Sequence, residues 1–321
     1  MRLANFGRLV KIFLSYKRGK ESLNYLPIRL WIEPTTYCNL KCVMCPNKDL
    51  PKSDKGNMDF ELYKKLIDEV KDYAYDIALN HRGESLLHAG LFDMISYARE
   101  NDLYVKLHTN ATLLNRKNSE KLIMSGLNLL SFSFDGYSKE IYENLRNGAN
   151  FERTLKNIEE FVWLRENLKE ETPYTVLEVI DFENYPKEGL KKYEELGVDE
   201  LIIKKMHNWG GSLTSSEMVN RTPSACTFPW YSLTILWDGS VVLCPQDFFG
   251  VIRLGNIRDS TLKDIWNGEE IKYVRRKMAT KNFDGLEPCN KCDRIWREKI
   301  WGVPKEFVKP FLKENILGYR R

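Results

Sequence analysis

The chain has 321 residues, 49 Lys+Arg against 45 Asp+Glu (net charge +4), and 43% hydrophobic residues. That is ample for one large buried core with a smaller appendage, and the near-balanced charge gives no reason to expect a nucleic-acid partner. No apolar run approaches the ~20 residues of a membrane span and no secretory signal is recognisable, so a cytoplasmic location is expected.

In chain order, residues 1–20 carry six basic residues and no acid. Leu3, Phe6, Leu9, Val10, Phe13 and Leu14 form an apolar stripe, so residues 1–27 read as a basic amphipathic helix with its charged side in water. Contact with a membrane surface is the alternative, and a weak one for a single short helix. Residues 28–206 alternate β-rich runs with helical periodicity. Strands are expected at residues 30–35, 76–80, 103–109, 129–134, 174–180 and 200–204. Apolar residues at helical spacing lie between them, as in Phe60, Leu62, Tyr63, Leu66, Ile67 and Val70. Gly126 and Gly197 sit where helices end. Six such units imply an α/β fold with a parallel sheet, whose strand C-termini build the site. Residues 207–225, rich in Gly, Ser, Thr and Asn, read as a linker. Residues 226–321 form the smaller domain, with a hairpin turning at Asp238-Gly239.

Seven cysteines fall into two groups. Cys38-x3-Cys42-x2-Cys45 directly follows the first expected strand. Three thiolates on one loop can hold three corners of an iron–sulfur cubane and leave one iron open to a small molecule; no His lies nearby to complete a closed zinc site. Cys226, Cys244, Cys289 and Cys292 supply four thiolates, which alone permit either an all-thiolate zinc site or a fully ligated cluster.

The segment Glu33-Pro-Thr-Thr-Tyr-Cys-Asn-Leu-Lys-Cys-Val-Met-Cys-Pro46 resembles the signature loop of the radical S-adenosylmethionine (radical SAM) superfamily. The resemblance implies a partial (β/α)6 TIM-like barrel and a [4Fe–4S] cluster whose open iron chelates S-adenosylmethionine. In that family the reduced cluster cleaves the sulfonium to methionine and a 5′-deoxyadenosyl radical. Met44 stands where the family usually has an aromatic residue beside adenine. Gly83-Glu84 resembles the element that receives the methionine amino group, with Arg82 replacing its first Gly. Thr109, Asn110 and Ser133 resemble positions that contact ribose and carboxylate, and Arg146 the carboxylate-facing arginine.

The spacing around Gly239 and Cys244 resembles SPASM/Twitch α+β domains, which implies one auxiliary [4Fe–4S] cluster on the four later cysteines. With all seven cysteines engaged, none remains to return hydrogen as radical epimerases commonly require. Net oxidation is therefore expected; the Twitch resemblance implies that it acts on a C–H bond beside OH or NH in a small sugar- or cyclitol-like molecule, by an oxidoreductase served by a flavodoxin- or ferredoxin-type donor. A SPASM-type peptide maturase is the alternative, and a non-catalytic zinc scaffold the alternative of another class. His207, Glu178 and Asp247 are the candidate bases, with His81 and His108 also near strand ends. Trp209 stands where the Twitch dehydrogenases place an arginine, and either stacks on a sugar or packs an interface.

Overall fold

The computed structural model describes residues 3–182, 185, 188–213, 222–305 and 308. Residues 214–221 of the expected linker, and 306–307 and 309–321 of the expected C-terminal domain, lie outside them. The chain divides into two compact units.

The unit Ile32–Lys71 with Asp76–Met206 is the α/β one. Its strands β2 (Asp76–Ala78), β3 (Tyr104–Thr109), β4 (Leu129–Ser133), β5 (Tyr174–Asp181) and β6 (Glu200–Lys205) lie side by side in chain order, all parallel. Helices α2 (Phe60–Val70), α3 (Leu91–Glu100), α4 (Arg116–Met124), α5 (Lys139–Leu145) and α6 (Phe151–Asn167) occupy the connections. Asp59, Asn115, Ser138 and Asn150 cap four of these helices, each accepting a backbone N–H three residues on. Gly126 and Gly197 adopt φ of 77° and 76°, so the expected left-handed turns are present.

Side chains alternate across the sheet. Phe132 of β4 meets Phe161 of α6 edge-on at 5.5 Å, which fixes the helix side. Ser131 and Ser133 therefore face the other way, into the barrel lumen. Parallel register puts His108 beside Ser131 and Glu178 beside Ser133 on that same face. Asp76 and Lys106 form a buried ion pair there at 3.1 Å.

The other unit comprises Met1–Trp31, Asp72–Tyr75 and His207–Tyr319. It holds α1 (Leu3–Lys17), most of β1 (Arg29–Ile32), the antiparallel strands β7 (Ser232–Ile235), β8 (Ser240–Val242) and β9 (Arg253–Asn256), and helices α7 (Leu262–Trp266) and α8 (Glu269–Ala279). The hairpin turns at Asp238-Gly239 as expected, with Gly239 at φ 88°. Helix α1 buries Ile12 and Ser15 and sets Tyr16 edge-on to Trp230 at 5.4 Å, while Val10 and Leu14 are exposed. Among the described residues no helix is long and apolar enough to cross a membrane.

Candidate active site and cluster-binding cysteines

The loop after β1 is held from both sides. Backbone N–H groups of Lys41 and Val43 donate to Asn147 and Leu145 at 2.9 Å each, pinning the cysteine loop to the end of α5. Asn47 Nδ2 donates to the carbonyls of Thr36 (2.8 Å) and Arg82 (2.7 Å), joining its far end to the loop after β2. A Cβ on Gly83 would lie 2.3 Å from the Thr35 carbonyl oxygen and 2.6 Å from that of Tyr37, so only glycine permits this approach. The Glu84 N–H also donates to Tyr37. The two loops are thus stitched backbone to backbone.

Arg82 settles how the departure at the first glycine is accommodated. Its guanidinium forks onto Glu33, with Nε 2.6 Å from Oε1 and a terminal nitrogen 2.7 Å from Oε2, and both side chains are buried. The resemblance marks Arg82 only as a departure and gives neither it nor Glu33 a partner. A charged residue after a strand carries no signal of burial until its counterion is known.

Glu84, Thr109 and Asn110 come together as expected. Glu84 is buried; one carboxylate oxygen accepts from Thr109 Oγ1 (2.9 Å) and the Leu86 N–H, the other from the Asn110 N–H (2.8 Å). Burial nevertheless pushes its carboxyl above the ordinary range, against the pull of these bonds and of Arg146. A buried carboxylate with only neutral donors in contact is a ready partner for an ammonium group. Asn110 Nδ2 also donates to Asn39 Oδ1 at 3.0 Å, linking strand three to the cysteine loop. Met44 is buried in that loop between Cys42 and Cys45, and Ser133 lies on the lumen face beside Glu178.

Arg146 is held by Asp135. Its Nε and a terminal nitrogen bind Asp135 Oδ2 at 2.9 and 2.7 Å, while Asp135 Oδ1 accepts the Ile180 N–H at 2.6 Å. The guanidinium also hydrogen-bonds Cys42 and opposes the rise that burial imposes on that thiol. Cys38 and Cys45 are pushed up to about 11 and about 12, first by burial and then by neighbouring thiols and, at Cys38, Glu84. Such thiols ionise only when iron supplies the positive charge. Among the described residues no three His, Cys, Asp or Glu converge on a single metal ion. A cubane does not ask for that, since each thiolate binds a different iron.

In the other unit Cys226, Cys244, Cys289 and Cys292 line one small cavity of about 20 Å³, walled by Phe228 and Met278 among others. All four are buried. Burial, then mutual repulsion, lifts Cys244 and Cys289 well above the ordinary thiol value; Cys292 reaches about 12 by burial, then Asp293 and Cys226. The buried Arg294 hydrogen-bonds Cys226 and lies over the Phe228 ring at 4.1 Å. A soft, all-thiolate, water-poor donor set fits an iron–sulfur cluster.

The three proposed bases each have other work. His207 Nδ1 accepts from the Arg297 guanidinium at 3.2 Å, and Arg297 is itself locked onto Asp293. With that lone pair engaged and hydrogen on Nε2, the ring donates rather than accepts. Asp247 closes a turn, its two oxygens taking the N–H groups of Val251 and Ile252 at 2.8 Å each. Glu178 is bound by Lys204 and His108, which hold its carboxyl far below the ordinary range despite burial. A carboxylate that weakly basic removes few protons. Trp209 packs edge-on against Phe248 at 5.2 Å.

Comparison with known proteins agrees with this donor geometry. Residues 32–165 match the radical SAM superfamily model, and residues 226–293 match SPASM, an iron–sulfur cluster-binding domain. The Fe-coproporphyrin III synthase of Methanosarcina barkeri is 32% identical, over 91% of this chain and 90% of that one.

The chain belongs to the radical SAM superfamily. As in that family, its cofactors are S-adenosylmethionine and a [4Fe–4S] cluster, with iron–sulfur binding in the SPASM domain. The S-adenosyl-L-methionine-dependent 2-deoxy-scyllo-inosamine dehydrogenase of Niallia circulans is 22% identical, over 82% of this chain and 92% of that one. Streptococcus suis SuiB, solved with its precursor peptide SuiA, shares the fold, with a TM-score of 0.65 at 16% identity, covering 90% of this chain and 74% of that one. The parallel strands are those of the family's partial barrel.

Proposed function

We propose that this radical SAM enzyme oxidises a carbon–hydrogen bond next to a hydroxyl in a small polar molecule. In this reading Cys38, Cys42 and Cys45 hold the cluster that takes S-adenosylmethionine. Glu84 receives its ammonium, Gly83, Thr109 and Asn110 shape that contact, Met44 covers the purine, and Ser133 with Arg146 serves the carboxylate end. Cys226, Cys244, Cys289 and Cys292 hold an auxiliary [4Fe–4S] cluster. When bound, the first cluster supplies the electron that releases a 5′-deoxyadenosyl radical, and the second accepts one electron from substrate. The electron itself comes from a flavodoxin- or ferredoxin-type donor.

The observation that carries the reading is the four-thiol set. Once four cysteines close a cluster, no iron is left for substrate, and moving an electron is what remains for it to do. Using all seven cysteines leaves none to return a hydrogen atom, which supports oxidation over epimerisation. The polar lumen face and the likeness to a cyclitol dehydrogenase along 92% of its length point the same way. A second reading, formation of a product of the Fe-coproporphyrin III kind from an iron porphyrinoid precursor, is favoured by the 32% identity to the Methanosarcina protein.

The test is anaerobic reconstitution, reduction, and assay of 5′-deoxyadenosine with 2-deoxy-scyllo-inosamine, an iron porphyrinoid precursor of Fe-coproporphyrin III and short peptides in parallel. Turnover with the cyclitol and appearance of a ketone supports the first reading. Turnover with only the porphyrin or only a peptide overturns it.

A further inference from the structure

We propose that His108 is the proton acceptor for the substrate hydroxyl, with Glu178 as its positioning residue; this rests on the alcohol-oxidation reading above. On the lumen face, His108 Nδ1 lies 3.4 Å from Glu178 Oε2, and Lys204 Nζ binds the same carboxylate. The three come from the C-terminal halves of β3, β5 and β6. The register places Ser131 and Ser133 between them, and Ser131 Oγ is fully buried with no hydrogen-bond partner among the described residues.

Lys204 keeps Glu178 anionic, and an anion at Nδ1 demands hydrogen there. The lone pair then sits on Nε2. Among the described residues nothing bonds that nitrogen, and the His108 side chain is 31% exposed against 13% for Glu178. One end of the ring is fixed and the other is presented. His207 is the reverse case, its Nδ1 lone pair already taken by Arg297.

The step balances. The carbon-bound hydrogen atom leaves with the adenosyl radical as 5′-deoxyadenosine. The hydroxyl proton goes to Nε2 of His108. The remaining electron goes to a one-electron acceptor, an oxidised iron–sulfur cluster, and a C=O bond is left.

The experiment uses the reconstituted holoenzyme with 2-deoxy-scyllo-inosamine as probe. His108→Asn is expected to lower ketone formed per 5′-deoxyadenosine released by about a hundredfold, and added imidazole to restore part of it in His108→Ala. Glu178→Gln is expected to lower kcat about tenfold with KM for the probe within about twofold. An unchanged ratio in His108→Asn, or the absence of rescue, overturns the proposal. A second measurement does not depend on turnover. Diethyl pyrocarbonate acylates a histidine through a bare ring nitrogen, and the chain has only four histidines to map by mass spectrometry. Acylation of His108 supports the assigned lone pair even if the cyclitol is not the substrate. A His108 that stays unmodified overturns it even if the cyclitol is.

Discussion

Replacing Glu33 by Gln tests whether the Arg82–Glu33 pair is what holds the Gly83-Glu84 loop against the cysteine loop. Both side chains are almost fully buried, at 3% and 0% exposure, and the fork closes at 2.6 and 2.7 Å. The amide keeps the shape of the carboxylate and removes its charge, stranding a guanidinium away from water. Removing one partner of a buried pair costs about 3–5 kcal/mol, most of it the uncompensated charge. At about 2 °C per kcal/mol for a chain of this size, the anaerobic melting temperature should fall by about 6–10 °C. S-adenosylmethionine affinity should fall too, because the Arg82 carbonyl anchors Asn47 and the next two residues are Gly83 and Glu84. The paired change Glu33→Met with Arg82→Met removes both charges and should recover more than half of the lost stability. Equilibrium dialysis and thermal unfolding of the three variants decide it. A single variant within about 1 kcal/mol of the parent, or a double variant no better than the single, would refute the reasoning.

At Glu84 the anion is the form that pairs with an ammonium, and burial raises its pKa, so acidification through that raised value should weaken cofactor binding. Glu84→Gln should cost about 2 kcal/mol, about thirtyfold in Kd, and flatten that pH dependence, read by dialysis between acid and neutral pH. Cys289→Ala should lower iron from about eight to about four per chain, and Cys42→Ala should remove the other four; a loss of well over four irons from either single variant would mean that the sites are not independent. Arg294 puts a cation on the Cys226 sulfur, which favours the more negative, reduced cluster. Arg294→Gln should therefore move the auxiliary potential about 59 mV more negative, a tenfold change in one-electron equilibrium, measured by EPR-monitored titration.

What could be read from the residues followed periodicity and spacing. The strands, the Asp238-Gly239 turn and the capping glycines announce themselves locally, because each rests on side-chain alternation or on one backbone conformation. Glu84, Thr109 and Asn110 could be paired because the β–α order brings loop ends to one side of a parallel sheet. Long-range charge pairing left no such mark. Glu33 and Arg82 stand 49 residues apart, and Lys204 reaches Glu178 across 26. A histidine near a strand end shows that a base is available in type. It does not show whether its lone pair is spent, and that is where His207 and His108 part company.

The two cysteine sets differ in the one respect that their chemistry requires. Cys38, Cys42 and Cys45 are each partly exposed, whereas the four later cysteines are all buried. Three donors on an accessible loop leave a metal corner and room for a ligand to reach it. Beside that corner stands Glu84, buried and with only neutral groups in hydrogen-bonding contact. Four buried donors would leave no metal corner open, and the Arg294 guanidinium acts on the Cys226 sulfur rather than on a ligand. In the proposed function, ligand exchange belongs to the first set and electron exchange to the second. On the proposed function, an alcohol oxidised in this way must give its proton to a third party, because a closed cluster takes only the electron. The unspent nitrogen of His108 on the lumen face answers that requirement with residues of the barrel itself.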